Sequence, residues 1–512
     1  MRIGIDVGGT NTDAVLMDGR YVVAWAKSPT TPDVTGGMLS ALRALLAQTD
    51  QARAAQAVMI GTTHFTNAVV ERKRLAPTAV IRLGAPATAS LPPMVDWPAD
   101  LREAIGGRWF LLEGGHEFDG REINPLDETR LMDVTRRLRD EGVRAVAICG
   151  VFSPVNQSNE ERAAALVHAA APELSITLSH QIGRIGLLER ENAAILNASL
   201  SALSRQIVRA LGQALAEVGI AAPFYLSQND GTLMSAATAE QFPVLTFSSG
   251  PANSMRGAAF LSGIKDGIVV DVGGTTTDVG ALRHGFPREA GTSVEVGGVR
   301  TNFRMPDVYS FGLGGGSVVR DGTGLRIGPD SVGYRLTEQA RVFGGEVLTA
   351  SDIAVAAGLA HMGDLSRVAG LDAQFVRAAL AAIQSSVAQA IDRMKVSAQP
   401  VPVVLVGGGS CLVADDLTGA SEVIRPAYYP IANAIGAAIA QVGGEVDRVY
   451  DLSAMSRTAA LESAKAEAVE RACAAGAAPA TLEVVEVEEV PLTYLPSNAT
   501  RVRVKVVGEL QP

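Results

Sequence analysis

The chain carries one short motif twice. Residues 6–13 read DVGGTNTD and residues 271–278, 265 positions later, read DVGGTTTD, so that seven of the eight residues are identical. In each copy an apolar run leads into an aspartate, a Gly-Gly-Thr turn follows, and a second short apolar run comes next, which predicts a β-hairpin. Two equivalent hairpins in one chain predict two facing lobes, each of which presents a hairpin tip to the same ligand.

The residues at the hairpin tips are suited to binding phosphate groups. Glycine lets backbone N–H groups approach phosphate oxygens without a Cβ atom in the way, and threonine hydroxyls add further donors. The ligand that best matches two such tips is a nucleoside triphosphate. The hydroxyls of Thr12 and Thr277 could instead pair across their own hairpins, and this alternative stays open. The predicted phosphate-binding residues are Gly8, Gly9, Thr10, Thr12, Gly273, Gly274, Thr275 and Thr277.

Each copy of the motif begins and ends with an aspartate. Asp6 and Asp271 follow an apolar run, and a carboxylate at such a strand end can hold Mg²⁺ directly or through water molecules. Asp13 and Asp278 close the motif, where they either stabilise the hairpins or take part in catalysis. The sequence therefore predicts Mg²⁺ at the first pair of aspartates and leaves the role of the second pair open.

The composition argues against several classes of protein. The chain has 54 acidic and 44 basic residues, a net charge of −10, which does not suit a nucleic-acid-binding surface. No long apolar stretch suggests a membrane span, and the first residues already read as a strand, without a signal peptide. The cysteines Cys149, Cys411 and Cys473 are far apart and show no metal-binding spacing. We therefore expect a reduced, cytoplasmic protein without a zinc or iron–sulfur centre.

The order of the elements predicts an α/β protein with two lobes. Strands and helices alternate through most of the chain, and 512 residues suffice for two or three domains. We predict a first lobe at residues 1–190, a second lobe at residues 191–450 and a small α+β segment at residues 451–512. Long helices are expected at residues 37–56 and 188–218.

Polar residues at the ends of the predicted strands are the candidates for substrate contacts, because ligands of α/β folds bind in the cleft beyond the carboxyl ends of the strands. His64 and Asn67 are the candidates for catalysis alongside the four aspartates. A loop histidine is nevertheless more often simply solvated than functional. The candidate substrate contacts are Thr63, His116, Glu117, Arg190, Glu191 and Asn253.

In its motif order the chain resembles the superfamily of actin, sugar kinase and heat-shock-chaperone ATPases, whose lobes are ribonuclease H-like. The resemblance rests on the two hairpins, on the glycine run at residues 407–409 and on the small-residue segment 433–436. It implies that Gly407, Gly408 and Gly409 lie under the adenosine of ATP and that Asn433 belongs to the same site. A large movement of the lobes on ATP binding is also implied.

More narrowly, the chain resembles the hydantoinase A / 5-oxoprolinase family, over roughly residues 1–440. Members use ATP to open cyclic amides such as hydantoins or 5-oxoproline, and others are subunits of ATP-dependent ketone carboxylases. Many work with a B-type subunit or a fused equivalent. The matching stretches are residues 61–68, 71–73, 114–117, 192–198, 249–252, 271–278, 314–317, 328–331 and 407–409.

This resemblance implies an ATP- and Mg²⁺-dependent ring opening in which phosphorylation of the amide oxygen activates the ring carbon. A partner subunit and a homo-oligomer are implied as well. The chain departs from the family pattern near residues 82–97 and after residue 333, and it stops near residue 512, short of the usual C-terminal region. These departures leave the substrate open.

Other readings share the two phosphate hairpins. A small-molecule kinase would transfer phosphate to a hydroxyl and leave a stable phosphorylated product. A ketone carboxylase subunit would depend on bicarbonate. An activator ATPase of radical dehydratases would need cysteines for a cluster between subunits, which three dispersed cysteines do not supply. A filament-forming or chaperone-type nucleotide switch is the non-enzymatic alternative.

Overall fold

The computed structural model describes residues 1–31, 33, 35–291, 293–322, 324–493 and 498–511. In these residues the strands are, in chain order, β1 Arg2–Val7, β2 Asn11–Asp18, β3 Tyr21–Pro29, β4 Ala57–Thr62, β5 Thr78–Ala85, β6 Arg108–Glu113, β7 Ala145–Gly150, β8 Ser175–Leu178, β9 Phe224–Ser227, β10 Leu233–Ser235, β11 Gly267–Val272, β12 Thr277–Arg283, β13 Phe286–Pro287, β14 Val294–Val296, β15 Val299–Thr301, β16 Val308–Phe311, β17 Ser317–Asp321, β18 Leu325–Ser331, β19 Val401–Val406, β20 Ala420–Ile424, β21 Val442–Asp451, β22 Glu483–Pro491 and β23 Ala499–Gly508.

The α-helices follow the same chain order. They are α1 Gly36–Leu46, α2 His64–Val70, α3 Ala99–Ala104, α4 Glu128–Asp140, α5 Ser158–Ala170, α6 Leu187–Ser199, α7 Ser201–Glu217, α8 Ala236–Gln241, α9 Ser249–Ser262, α10 Leu336–Gln339, α11 Ala350–Ala356, α12 Ala373–Met394, α13 Ala432–Ala438 and α14 Arg457–Ala474. Throughout the described part of the chain, no helix combines the length and the apolar character that crossing a membrane requires.

The first copy of the motif forms a hairpin inside a nine-stranded sheet of order β22-β23-β21-β10-β9-β4-β1-β2-β3. Strands β1 and β2 are antiparallel and pair Asp6 with Asp13. Strand β4 runs parallel to β1. Alternate residues of β1, Ile3 and Ile5, are fully buried in the core of this lobe, so burial of the apolar run fixes the register of the hairpin.

The second copy repeats this arrangement in a second sheet, of order β13-β12-β11-β19-β20, with β16 paired to β12. Strands β11 and β12 are antiparallel and pair Asp271 with Asp278. Strand β19 runs parallel to β11. Both lobes therefore contain an antiparallel hairpin followed by a parallel strand, and the predicted two-lobed α/β fold is confirmed.

A third, all-parallel sheet of order β6-β5-β7-β8 lies between residues 78 and 178. Helices α4 and α5 pack on each other, and helix α6 packs on β5, β7 and β8. Polar loops follow the carboxyl ends of these strands, which is the usual place for ligands in parallel α/β sheets.

Two helices cross at very short distance between the lobes. Helix α9 packs on the second sheet through β11, β12 and β19, helix α13 packs on β1 and β2, and the two helices pack on each other. A Cβ atom added at Gly436 would lie 1.8 Å from the carbonyl oxygen of Asn253, and one added at Gly257 would lie 1.8 Å from that of Ala432. The glycines therefore permit a backbone contact that side chains would prevent.

The sheet pairing crosses the borders of the three predicted segments. Strands β9 and β10 lie in the segment 191–450, and β22 and β23 lie in the segment 451–512, yet all four belong to the first sheet. The C-terminal strands pair there because β23 extends along the whole of β21. The division into three consecutive domains stays a prediction. The first sheet is formed by discontinuous parts of the chain, whereas the second sheet lies within residues 267–424.

Two predicted helices are shorter in the structure. Helix α1 ends at Leu46, because the side chain of Thr49 accepts a hydrogen bond from the backbone of Gln51 and begins a separate 3₁₀ turn. The predicted helix 188–218 is divided at Leu200 into α6 and α7. At this break the hydroxyl of Ser199 donates to the carbonyl of Leu196 at 2.7 Å, a local bond that competes with the helical ladder.

Candidate functional site

The two hairpins face each other across a cleft of about 410 Å³ between the lobes. The structure brings most of the predicted nucleotide-binding residues to this cleft, from four separate parts of the chain. Those that line it are Asp6, Gly8, Gly9, Thr10, Asp13, Asp271, Gly273, Gly274, Thr275, Asp278, Gly407, Gly408, Gly409 and Asn433.

The hairpin tips touch each other. The hydroxyls of Thr10 and Thr275 lie 3.2 Å apart, and a Cβ atom at Gly274 would lie 2.7 Å from the hydroxyl of Thr10. Each tip is also braced within its lobe, because Thr30 donates from its backbone to Thr10 and Gly316 donates to Gly274. A phosphate group between the tips would therefore have to separate the two threonines.

The hydroxyls of Thr12 and Thr277 are used inside the lobes. Both residues are fully buried. The Thr12 hydroxyl lies 3.2 Å from that of Thr30, and the Thr277 hydroxyl donates to the carbonyl of Leu313 at 2.7 Å. Neither residue lines the cleft, so their predicted contact with phosphate is corrected: their hydroxyls brace the hairpins.

The aspartates of the first hairpin have one amide partner and one cationic partner. Asn433 donates through Nδ2 to Asp6 at 2.8 Å. Burial, followed by the charges of Asp13 and Asp271, raises the pKa of Asp6 to about 7. Lys27 lies 2.6 Å from Asp13, yet burial outweighs this pairing and the pKa of Asp13 is also raised. A buried carboxylate is costly unless it is paired or protonated.

The aspartates of the second hairpin have hydroxyl partners. Ser254 donates to Asp271 and Ser310 donates to Asp278. Burial raises the pKa of Asp271. Burial, with a further contribution from the charge of Asp271, raises the pKa of Asp278 to about 6. Two buried and two half-buried carboxyl groups thus converge on one cleft with little positive charge to balance them.

The donor set of the cleft fits a divalent cation that arrives with phosphate groups. Lys27 is the basic residue among the described residues that line the cleft. Across the described chain, no three acidic, histidine or cysteine side chains lie close enough to form a complete metal site. Mg²⁺ is commonly held by one or two carboxylates, water and substrate phosphates, so carboxylates without a third protein ligand are compatible with it.

Three partners of the aspartates were absent from the sequence-based set. Lys27 pairs across strands with Asp13, and Ser310 pairs across strands with Asp278. Ser254 lies on α9, one residue after the predicted Asn253. Aligning β3 with β2 would have pointed to Lys27, because directly opposite residues on neighbouring strands interact. Ser310 lies on β16, which pairs with β12 although β13, β14 and β15 lie between them in the chain.

The predicted catalytic residues of α2 lie outside the cleft lining, which includes only Thr63 from this region among the described residues. The ring nitrogen Nδ1 of His64 lies 2.6 Å from the hydroxyl of Thr62. Burial, followed by the charge of Arg74, lowers the pKa of His64 to about 4. Asn67 is exposed on the helix surface. Neither His64 nor Asn67 lines the cleft, and a catalytic role for either residue stays a prediction.

His116 and Glu117 belong to the loop after β6 of the third sheet. His116 is buried, and its Nε2 lies 3.3 Å from the hydroxyl of Ser158. Burial lowers its pKa. Glu117 is exposed. Neither residue lines the cleft, and contact of either residue with a substrate stays a prediction.

Arg190 and Glu191 connect α6 to the third sheet. Both side chains are fully buried. Arg82 donates to both carboxylate oxygens of Glu191, at 2.7 and 2.6 Å, and Arg190 donates to the carbonyl of Gly150 at 2.6 Å. Their predicted substrate contacts are also corrected, because the charged atoms are already committed to partners that hold the fold together.

Asn253 is fully buried between the cleft and α13. A Cβ atom at Gly61 would lie 2.5 Å from both Asn253 Nδ2 and Asp6 Oδ1, so the amide lies beside the first aspartate. Within the described residues neither amide atom has a hydrogen-bond partner. Asn253 does not line the cleft, and its position suits the support of Asp6 better than contact with a substrate.

Two family profiles match consecutive parts of the chain. The profile described as the hydantoinase/oxoprolinase N-terminal region matches residues 2–170, and the hydantoinase/oxoprolinase profile matches residues 190–369. The chain belongs to the hydantoinase/oxoprolinase family. The family that the sequence motifs indicated is thereby confirmed.

Two curated relatives of this hydantoinase/oxoprolinase family member are named as enzyme subunits. The alpha subunit of caprolactamase from Pseudomonas jessenii is 30% identical over 418 residues, which cover 76% of this chain and 58% of that protein. The gamma subunit of acetophenone carboxylase from Aromatoleum aromaticum is 28% identical over 396 residues, which cover 70% of this chain and 53% of that protein. The chain thus spans little more than half the length of these relatives.

A solved structure supports the fold. The crystal structure of ATP-dependent caprolactamase from Pseudomonas jessenii matches with a TM-score of 0.79 at 21% identity, over 100% of this chain and 88% of that chain. The match covers both lobes and the third sheet.

Proposed function

We propose that this hydantoinase/oxoprolinase family member uses ATP to open the ring of a cyclic amide, as the ATP-binding part of an enzyme with more than one component. The observation that carries the proposal is the meeting of two identical Gly-Gly-Thr tips and four aspartates at one cleft. The relationship to the caprolactamase alpha subunit supports the cyclic amide as substrate.

The hairpin tips would hold the phosphate chain of ATP. The backbone N–H groups of Gly9 and Gly274 and the hydroxyls of Thr10 and Thr275 would supply donors. The N–H groups of Gly8 and Gly273 already donate inside the turns, to the carbonyls of Asn11 and Thr276 at 3.1 and 2.9 Å. Gly407, Gly408 and Gly409 would lie under the adenosine, and a side chain at Gly407 would collide with Asp271 at 2.2 Å. Asn433 would hold Asp6 in place through its hydrogen bond.

Asp6 and Asp271 would hold Mg²⁺, directly or through water. When bound, the ion would neutralise the charge that builds up on the phosphate oxygens. Asn433 and Ser254 orient these two carboxylates. Lys27 and Asp13 form a pair on the first lobe that would place one positive charge near the phosphates.

The chemical step would be transfer of the terminal phosphoryl group of ATP to the amide oxygen. Resonance protects a cyclic amide from water, and phosphorylation turns the carbonyl oxygen into a leaving group. Water would then add to the ring carbon, and the C–N bond would break as the nitrogen takes up a proton. The acyl phosphate so formed would be hydrolysed by a second water molecule to the carboxylate of the opened ring and free phosphate. Positioning and charge stabilisation by the cleft would supply most of the rate enhancement.

A partner protein is part of the proposal. The chain covers 58% of the caprolactamase alpha subunit and 53% of the acetophenone carboxylase gamma subunit, both of which are named as subunits. The partner would be a B-type hydantoinase subunit or a protein that replaces it, and it would complete hydrolysis after this chain has used ATP.

The second candidate function is that of an ATP-dependent ketone carboxylase subunit. The specific observation in its favour is the acetophenone carboxylase gamma subunit, whose identity of 28% is close to the 30% of the caprolactamase subunit. The two functions share phosphorylation of a carbonyl oxygen and differ in what attacks the activated carbon.

The test is phosphate release from ATP with Mg²⁺ in the presence of hydantoin, N-methylhydantoin, 5-oxoproline, a simple lactam, or a ketone with bicarbonate. We expect one cyclic amide to stimulate phosphate release, and Asp271→Ala to lower the stimulated rate about 100-fold, as expected for loss of one charged group at a reacting phosphate. Asp321→Ala, at an exposed aspartate of β17, is the matched control and should leave the rate unchanged.

The products separate the candidates. An opened ring together with free phosphate supports the amidohydrolase, bicarbonate-dependent turnover of a ketone supports the carboxylase, and a stable phosphorylated product would indicate a kinase. Tight ATP binding without stimulation by any of these compounds would contradict independent activity of the chain, and addition of the B-type subunit would then be the next measurement.

A further inference from the structure

A second cavity, of about 520 Å³, lies at the C-terminal end of α9. The N-terminal end of the same helix borders the nucleotide cleft through Gly250 and Pro251. We call the second cavity the Arg256 pocket. Among the described residues it shares no lining residue with the nucleotide cleft, and its volume is in the range of small-molecule sites.

The Arg256 pocket brings together the far turns of the two duplicated hairpins. In the first lobe, Gly19 and Arg20 form the two-residue turn between β2 and β3. In the second lobe, His284 and Gly285 form the two-residue turn between β12 and β13. Both turns lie at the ends of β2 and β12 that point away from the Gly-Gly-Thr tips. Arg20 and His284 line the pocket, so a ligand bound there would contact both lobes.

The pocket contains a buried guanidinium group without a carboxylate partner. Arg256 of α9 is 9% exposed, and its guanidinium carbon lies 3.8 Å from the centre of the Phe286 ring. Its terminal nitrogens donate to uncharged groups, the carbonyl of Gly285 at 2.8 Å and the side chain of Gln441 at 3.1 Å. Within the described chain its Nε has no partner. Burial lowers the pKa of Arg256 to about 10, so the group is still charged at neutral pH.

Two other buried guanidinium groups show the usual arrangement. Arg82 lies 2.6 Å from Glu191, and Arg503 lies 3.2 Å from Glu445. A buried charge is costly unless it is paired. Arg256 lacks such a partner, and an anion in the pocket would supply it.

The carboxylates whose charges act on Arg256 are committed to other cations. They are Asp230 and Glu509. Lys505 lies 2.8 Å from Asp230, and Arg2 lies 3.1 Å from Glu509. Neither carboxylate lines the pocket, so neither balances the charge inside it.

The pocket as a whole has an excess of positive charge. Besides Arg256 it is lined by the exposed side chains of Arg20, Lys265 and His284. Glu483 is the one carboxylate among its described lining residues. With His284 neutral, three cations thus face one carboxylate, which leaves two positive charges in excess. The carbonyl end of α9 attracts a cation, but it does not account for a guanidinium group buried within the helix, on a chain whose net charge is −10.

The cations are held in place before any ligand binds. The N–H of Gly285 donates to the carbonyl of Lys265 at 2.8 Å, and the N–H of His284 donates to the carboxylate of Asp266 at 3.1 Å. Asp266 itself does not line the pocket. On the first lobe, the guanidinium carbon of Arg20 lies 5.5 Å from the centre of the Phe260 ring. A guanidinium group stacked on a ring keeps N–H groups at its edge that can donate to a ligand.

We propose that the Arg256 pocket binds a small dianion of the phosphate type, either inorganic phosphate or the phosphate group of an ester. Two negative charges balance the excess in the pocket, and the planar guanidinium groups of Arg20 and Arg256 match the geometry of phosphate oxygens. Because Arg20 belongs to the first lobe and Lys265 to the second, the bound anion connects the lobes at the far end of the hairpins. The site lies beyond the proposed function, since it uses no residue of the nucleotide cleft.

The test follows binding of inorganic phosphate to the full chain at pH 8 by the relaxation of its ³¹P NMR signal. A saturating non-hydrolysable ATP analogue with Mg²⁺ fills the nucleotide cleft, whose tips would also accept phosphate. Arg20→Gln and Lys265→Gln should each weaken phosphate binding about fivefold, the size expected for one partly exposed ion pair. Arg20→Lys keeps the charge and should retain part of the affinity. Arg136→Gln, at an exposed arginine of α4, is the matched control and should leave the affinity unchanged.

Competitors at constant ionic strength identify the anion. Displacement of phosphate by glycerol 3-phosphate would show that the pocket accepts phosphate esters, and its absence would restrict the pocket to free phosphate, so both results support the dianion site. Malonate carries the same charge on two carboxylates. Displacement by malonate at lower concentrations than glycerol 3-phosphate or unlabelled phosphate requires would overturn the phosphate-type ligand in favour of a dicarboxylate.

Two further outcomes overturn the inference. One is equal phosphate affinity of the wild type, Arg20→Gln and Lys265→Gln, which would place the binding outside the pocket. The other is the absence of phosphate binding to the folded chain at low ionic strength, where such attraction is strongest. Arg256→Gln should lose binding, and the two variants at exposed positions keep the test valid if Arg256→Gln does not fold. None of these measurements requires turnover, so the proposed function stands or fails separately.

Discussion

The two hairpins have nearly the same sequence and different surroundings. In the first, Asp6 is held by an amide and Asp13 by the ammonium group of Lys27. In the second, both aspartates are held by serine hydroxyls. The first lobe therefore supplies a positive charge at a position where the second lobe supplies a neutral donor. A duplicated motif thus fixes the shape of both tips, while residues outside the motif decide the charge of each side.

The largest effect is expected where both hairpins are disturbed together. Asn433 of α13 holds Asp6 and Ser254 of α9 holds Asp271, and the two helices meet through Gly436. In an unobstructed helix, Gly→Ala would stabilise by about 1 kcal/mol. Because the new Cβ would lie 1.8 Å from a backbone oxygen, we expect Gly436→Ala instead to lower the free energy of unfolding by about 3 kcal/mol. Urea unfolding measures this change.

Gly370→Ala is the matched control, because a Cβ atom there has no neighbour within 4 Å. Equal stability of the two variants would contradict the close approach of α9 and α13. If the approach is real, Gly436→Ala should also reduce ADP binding, since both hairpins lose their support at once.

The next test compares the pH dependence of the two hairpins without nucleotide or Mg²⁺. The pKa of Asp6 is raised to about 7 and that of Asp278 to about 6. For a carboxyl group with a raised folded-state pKa, the folded protein keeps a proton that the unfolded chain has released, so stability falls as pH rises from the unfolded value to the folded one. Asp6→Asn and Asp278→Asn should each remove part of that fall.

The pH range over which stability falls extends about one pH unit further for Asp6 than for Asp278. Between pH 5 and pH 8, the free energy of unfolding should therefore rise relative to wild type by about 1.4 kcal/mol more in Asp6→Asn than in Asp278→Asn. Urea midpoints at several pH values measure the difference. Equal gains would mean that the neighbouring charges of Asp13 and Asp271 do not distinguish the first hairpin from the second.

The difference between the hairpins also marks the limit of what the sequence predicted. Asp6, the glycines and Thr10 reached the cleft as expected, because local turn chemistry fixes their positions. Lys27 and Ser310 were missed because their importance comes from cross-strand register, which depends on how a third strand pairs. Arg190 and Glu191 lie in the predicted helix 188–218, and the sequence does not tell whether a charged helix residue faces a cleft or, as Glu191 does, a buried partner such as Arg82.

The fold shows the same limit at larger scale. The two hairpins and their lobes were predictable from local patterns. The pairing of β21 with β23 was not, because it joins residues near the C-terminus to a sheet that begins at Arg2. Alternating apolar residues predict a strand with one buried face, but they do not predict which strand pairs with it.

A smaller effect is expected from removing the one charge that distinguishes the hairpins. Lys27→Met leaves the buried Asp13 without its cation. We expect the free energy of unfolding to fall by about 1 kcal/mol at pH 8. The fall is limited because Asp13 can take up a proton when its cation is removed. The pKa of Asp13 should rise further, so the loss should shrink as the pH falls and Asp13 becomes protonated in both proteins. Urea unfolding at pH 8 and pH 5 measures it.

Lys73→Met is the control for this variant, because Lys73 pairs with Glu71 on the surface, with both side chains largely exposed. Removal of such a surface pair changes stability by less than about 0.5 kcal/mol. If Lys27→Met changed the free energy of unfolding by no more than Lys73→Met does, at both pH values, Asp13 and Asp278 would lie in equivalent environments.

The smallest effect on stability is expected at the tips, where the two hairpins are most alike. Thr10 and Thr275 share one hydrogen bond of 3.2 Å, so Thr10→Val, Thr275→Val and the double variant should each lose about the same 0.5 kcal/mol. ADP affinity should behave differently. If each hydroxyl donates to a phosphate, each single variant loses about tenfold in affinity and the double variant loses the product of the two. A calorimetric titration of the three variants with ADP and Mg²⁺ measures these affinities. Additive losses of affinity together with non-additive losses of stability would mean that the tips touch each other in the free protein and separate around the nucleotide. If the double variant binds ADP no more weakly than either single variant, only one tip contacts phosphate.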